Sequence, residues 1–156
     1  MQKFIENLAE ADKIIRTADH MAYVTFPLVN DKKILLKLLL EMKTAIGKVI
    51  NAILQYEYLF KRVTLYGNAK SNFNSFENKC AVRYDITREE IKLVVELFDI
   101  VEKHKVSAME FVKDDMLVIL SESLKPKTLG IEEIKEFLAL SKNLLRKSKT
   151  HMEEHL

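Results

Sequence analysis

The sequence predicts a mainly α-helical fold: an antiparallel bundle of four to five helices, one of them very long, in a single domain over residues 1–156. Three observations carry this. Apolar side chains fall at Leu35, Leu39, Met42, Ile46, Val49, Ile53, Tyr56, Phe60 and Val63, in alternating steps of four and three. On a helix those positions line one face. Only three Gly and two Pro occur in 156 residues, which disfavours turn-rich β folds. A Thr87-Arg88-Glu89-Glu90 capping box marks a further helix start.

The elements follow in order. A first helix is expected from Gln2 to about Val24, with Phe4, Leu8, Ala11, Ile15, Ala18 and Ala22 as its stripe. Pro27 is expected to stop it, because the residue before a proline avoids the helical region. Asn30 or Asp31 can cap the next helix, which spans residues 31–66 and would reach about 50 Å. Leu38, Ala45, Ala52 and Leu59 widen its stripe beyond a coiled-coil seam. A second apolar flank, Leu36, Leu40, Ile50 and Leu54 with Gly47 among them, suggests a central helix or one covered by another subunit. Gly47 costs about 1 kcal/mol of helix stability relative to Ala. Close approach of another backbone would explain it, and so would a neutral substitution.

After Gly67 a polar loop leads to a short helix over 71–82, with Phe73, Phe76 and Cys80 on one side. The capped helix from Thr87 runs to near His104 and turns Ile91, Val94, Val95, Phe98 and Val101 inward. Residues 108–121 are rich in β-branched side chains around Lys113-Asp114-Asp115, which suits a small β-hairpin. A helix is the competing reading. A last helix is expected from Ile131 to about His151, with Ile134, Phe137, Leu138, Leu144 and Leu145 inward.

Composition bounds the function classes. Apolar residues make up 48% and charged residues 31%, a globular balance large enough to bury a core without staples. The net charge of +2 does not demand a polyanionic partner. No apolar run is long enough to span a bilayer, so no membrane partner is expected. The single Cys80 excludes an internal disulfide and fits no common zinc spacing, and its apolar neighbours suggest a buried thiol. With no signal peptide and a lone thiol, the expected location is the cytoplasm. The three glycines lie too far apart for a phosphate-binding loop or dinucleotide fingerprint, so no cofactor is expected.

Several polar groups are candidates for a site. Arg16, Asp19 and His20 share the end of the first helix, where a His is also favoured by the helix dipole. His104 and Ser107 lack the strand–turn–helix elbow of a hydrolase. His151 and His155 are four apart but lack the zinc-protease pattern and lie at the chain end, so no metal site is expected. Lys61 and Arg62, near Tyr56, Tyr58 and Phe60, and Lys142, Arg146, Lys147 and Lys149 on the last helix are nucleic-acid-binding candidates, if their faces coincide. Against this, Tyr56 and Phe60 belong to the core stripe.

The segment from Ala18-Asp19-His20-Met21 to Pro27-Leu28-Val29, with Tyr56-Glu57-Tyr58-Leu59-Phe60-Lys61-Arg62, resembles the body of the HEPN superfamily, especially its uncharacterised archaeal members. The resemblance implies a helical bundle, often dimeric. It further implies either a metal-independent ribonuclease or an inactive RNA-associated partner. The family's active site is an Arg followed after four to six residues by His, and Arg146 to His151 has that spacing. The pair would supply phosphate stabilisation and proton transfer. It sits near the chain end rather than at the start of an internal helix, and Lys147 stands where a small polar residue is usual. These departures favour an inactive member.

The resulting expectation is a non-enzymatic helical interaction or scaffold protein that forms a homodimer. Leu36, Leu40, Gly47, Ile50 and Leu54 are the expected interface. The alternative is a HEPN-like RNA-associated protein with RNA as a partner.

Overall fold

The computed structural model describes residues 2–105, 109–113, 116–120 and 126–154. The chain is mainly helical. Helix α1 (Lys3–His20) runs into a widened π turn (Met21–Thr25) and a short α2 (Phe26–Val29). Helix α3 (Lys33–Leu59) is the longest at 27 residues. Helix α4 (Ala69–Ser75) continues into a second π turn (Phe76–Cys80), and α5 is Arg88–Lys105. Strands β1 (Met109–Lys113), β2 (Met116–Leu120) and β3 (Pro126–Leu129) precede α6 (Ile131–Glu154).

Pro27 does not stop the first helix. The π turn delivers it into the opening turn of α2, where no backbone donor is required. The helical path ends instead at Asn30, in the left-handed region with φ 55°. Asp31 then accepts from the Lys33 N–H at 3.0 Å.

Helix α3 is shorter than the residues 31–66 expected of it. Lys61 takes φ 59°, and the Arg62 N–H turns back to the Glu57 carbonyl at 3.0 Å. Phe60 therefore leaves the core stripe and is about half exposed, whereas Tyr56 is buried.

Helix α3 forms the centre of the molecule, packed against α1, α6, α5 and the second π turn. Leu35, Leu39, Met42, Ile46, Val49 and Ile53 are fully buried, as the spacing requires. The C-terminal half of the second flank of α3 is covered by its own chain. Ile50 and Leu54 are 5% and 2% exposed, which corrects their assignment to a subunit interface. Leu36 is half-buried against the core, Leu40 is exposed, and a Cβ on Gly47 would meet nothing within 4 Å. Among the described residues, no backbone beyond the neighbouring turns of α3 comes within 4 Å of that position.

Helices α1 and α3 are antiparallel. Phe4 meets Tyr56 edge-on at 5.2 Å, and Asn7 donates to Gln55 at 2.9 Å. Helix α6 crosses with two buried serines toward the core. Ser141 and Ser148 satisfy their hydroxyls on the carbonyls of Phe137 and Leu144, at 2.9 and 2.7 Å.

The expected capping box forms. Glu90 N–H donates to Thr87 Oγ1 at 3.1 Å and Thr87 N–H to Glu90 Oε1 at 3.0 Å. Residues 109–113 and 116–120 pair antiparallel as expected of a hairpin, Met109 opposite Leu120 and Lys113 opposite Met116. β3, which the sequence reading did not anticipate, adds antiparallel to β2. Ile119 and Leu129 anchor this sheet in the core. Among the described residues no helix is long and apolar enough to cross a membrane. Ser107 and His155, named above, lie outside the described residues.

Candidate functional site

An open groove of about 490 Å³ runs between α1 and α6. On α1 it takes Asp12, Arg16 and Asp19, which lie within about two turns on one face. On α6 it takes Lys142, Arg146 and Lys149 with the same repeat. Ile15 and Leu145, both nearly buried, form its apolar floor. Lys142 Nζ pairs with Asp19, and Lys149 Nζ lies 3.9 Å from Asp12. These two pairs fix an antiparallel register. That register sets Arg16 against Leu145 and Ile15 against Arg146, so both arginines line the middle stretch of the groove. Arg16 Nε also reaches Asp12 at 3.0 Å along its own helix. Arg146 donates to Asn143 Oδ1 at 3.0 Å.

The groove thus holds four cations and two carboxylates. The outer rungs are charge-complementary, and the groove as a whole carries a positive surplus. Tyr23 stands near one end, its ring under Lys142 at 5.8 Å and Lys135 at 4.8 Å.

This arrangement unites two candidate sets. Arg16 and Asp19 join Lys142, Arg146 and Lys149, while His20 is exposed at the end of α1 and does not line the groove. The remaining candidates lie elsewhere. Lys61 is exposed beyond α3. Lys147 is not available to a phosphate, because its Nζ donates to the Asp85 carbonyl at 2.6 Å and to Glu90 at 2.5 Å. Only 12% of each side chain in that Lys147–Glu90 pair is exposed. Burial pushes the Glu90 carboxyl up, but Lys147 and the Thr87 N–H and hydroxyl outweigh it and hold Glu90 below its ordinary range. Arg146 and His151 do not share a cleft. Five helical residues turn the chain by roughly 140° beyond a full turn. Arg146 lines the groove, while the His151 ring stacks on Tyr84 at 3.9 Å.

That stacking belongs to a second, buried polar centre. Glu57 is fully buried near the end of α3. Arg62 holds its Oε2 through Nε at 2.9 Å and through Nη2, and Arg83 Nη2 lies 2.6 Å from Oε1. The Arg83 contact is an ion pair without hydrogen-bond alignment, since Oε1 has no hydrogen-bond partner among the described residues. Arg62 is therefore spent on Glu57 rather than offered to a nucleic acid. Its guanidinium is held further above its ordinary range by the hydrogen bond to Glu57.

Burial, then the Glu57 charge, pushes the Cys80 thiol up to about 11. Cys80 is thus a protonated core thiol at neutral pH rather than a nucleophile. The same two causes raise the Tyr84 hydroxyl. The cluster can clamp the end of α3, the turn that follows it and the segment after the second π turn together.

Sequence reasoning missed Glu57 and Arg83. One signal was present: Glu57 continues the line of Ile50 and Leu54, a charge placed in a buried register. Asp12 was missed as well, although it stands four residues before Arg16. Among the described residues no group of three or more His, Cys, Asp and Glu side chains is placed to hold a metal ion. No protein-family model matches this chain, and neither the curated proteins nor the solved structures give a match.

Proposed function

We propose that this chain is a non-enzymatic helical interaction protein that works as a homodimer. One observation carries the reading: an apolar ledge at the end of α3. Tyr58, Leu59, Phe60, Leu65 and Tyr66 are each about half exposed within nine consecutive residues. The ledge is held in place before any partner arrives. Phe60 packs on Tyr56 at 5.0 Å under the Arg62 guanidinium at 4.9 Å. Tyr66 exchanges two hydrogen bonds with Asn72, its N–H donating at 2.8 Å and its carbonyl accepting at 3.0 Å. Rigid aromatic side chains make good interface anchors because little entropy remains to be lost. A two-fold axis would set this ledge against its own copy, the usual geometry of homodimers.

This ledge replaces the Leu36–Leu54 flank as the interface. Light scattering after size exclusion tests it: the native chain elutes as a dimer and Leu59→Glu as a folded monomer. A dimer untouched by Leu59→Glu would refute this interface.

A HEPN-like, RNA-associated protein is the second reading. The convergence of Arg16, Lys142, Arg146 and Lys149 favours it, and the separation of Arg146 from His151 favours a non-cleaving form. Filter binding of an RNA oligonucleotide across a salt series tests this reading.

A further inference from the structure

We propose that the middle of the α1–α6 groove binds a phosphomonoester, gripped by Arg16 and Arg146. The proposal stands apart from the dimer, which rests on a different surface. The groove is a charge ladder with one rung out of pattern. Asp19 faces Lys142 at one end and Asp12 faces Lys149 at the other. Between them Arg16 and Arg146 line the groove beside Ile15 and Leu145, with Arg16 Nε 3.0 Å from Asp12 and Arg146 donating to Asn143 Oδ1 at 3.0 Å. An arginine offers a planar fork of donors matched to phosphate oxygens. A phosphomonoester carries close to two negative charges at neutral pH, which balances two arginines. The groove volume of about 490 Å³ suits a small molecule or one phosphorylated side chain.

The ladder also sets selectivity. Successive rungs lie about 5 Å apart along the helix axes. A nucleic-acid strand would bring its neighbouring phosphates toward Asp12 and Asp19. A single phosphate at the middle rung meets only the Asp12 carboxylate, which Arg16 already pairs.

NMR titration of backbone amide signals tests the proposal, first with inorganic phosphate and then with a phosphoserine peptide. Saturable shifts confined to residues 12–19 and 142–149 are expected, with Kd on the order of 1 mM for inorganic phosphate. Arg16→Gln and Arg146→Gln should each weaken binding roughly tenfold or more, since each removes charged hydrogen bonds. Asp19→Asn should tighten it by freeing Lys142. Both arginines are exposed, so the variants' remaining signals should overlay the native spectrum, which checks folding. Tighter binding of the peptide points to a phosphorylated protein segment and tighter binding of free phosphate to a small metabolite; either supports the site. Absence of saturable shifts, or shifts indifferent to both arginine variants, would overturn it. So would an RNA oligonucleotide that binds far more tightly than either probe.

Discussion

Replacing Glu57 by glutamine should have opposite effects in two backgrounds, and the sign change tests whether Glu57 is clamped as a charge. In the native protein the carboxylate is wholly buried between Arg62 and Arg83, whose side chains are 36% and 38% exposed. Glu57→Gln there removes the shared counter-ion. Both guanidiniums can turn partly to water, which screens the loss, so the cost should be about 1–3 kcal/mol. Arg62→Ala alone should cost roughly 1.5–3 kcal/mol, because Arg83 still faces the carboxylate.

The Arg62→Ala/Arg83→Ala protein is different, since a bare carboxylate is left in the core. That should cost about 3–5 kcal/mol. Adding Glu57→Gln to this double variant replaces a charge with a neutral amide, which is cheaper to bury. Stability should then rise by about 1–3 kcal/mol. Urea denaturation at pH 7 measures all five proteins, with the slopes compared to confirm a common unfolded state. If Glu57→Gln lowers stability equally in both backgrounds, the carboxylate is not held by the two arginines and the clamp is wrong.

Other expectations can be checked with the same assay. Glu90, held below its ordinary range, stabilises the fold above the unfolded glutamate value near pH 4.3, and that contribution fades as pH falls through its folded value. Glu90→Gln should therefore cost about 1–3 kcal/mol at pH 7, with the gap to the native protein closing on acidification. A gap constant down to pH 2 would refute the pairing with Lys147. Ile46→Ala, at the buried centre of α3, should lose about 2–5 kcal/mol. Ser141→Leu should cost about 1–3 kcal/mol by overpacking α6 against Met42, while Ser141→Ala should be close to neutral.

The helical plan was legible because α3 repeats one physical demand from Leu35 to Tyr56, a stripe that water must not reach. Its end was not. Phe60 and Val63 continue the spacing, but Lys61 in the left-handed region breaks the path, and Val63 is buried from a loop. Periodicity records burial, and a loop can bury a residue too. The two π turns escaped for a related reason. Ala18, Ala22 and Phe26, and again Phe76, Cys80 and Tyr84, are buried in consecutive steps of four, and a stripe of fours reads as ordinary helix even where a turn has widened. The second flank of α3 was visible, yet nothing in the sequence says whether the same chain or another subunit covers Ile50 and Leu54.

The site was half legible. Arg16, Asp19, Lys142, Arg146 and Lys149 were each picked out by charge. Their union depends on α1 and α6 lying side by side, a contact between segments more than a hundred residues apart. The Glu57 clamp needed the same long-range knowledge.

The most direct test of the proposed function is sedimentation velocity of the native chain over a range of concentrations. The native chain is expected as a species of twice 18.2 kDa that resolves into single chains on dilution or on Leu59→Glu. A mass of 18.2 kDa at every concentration would contradict it.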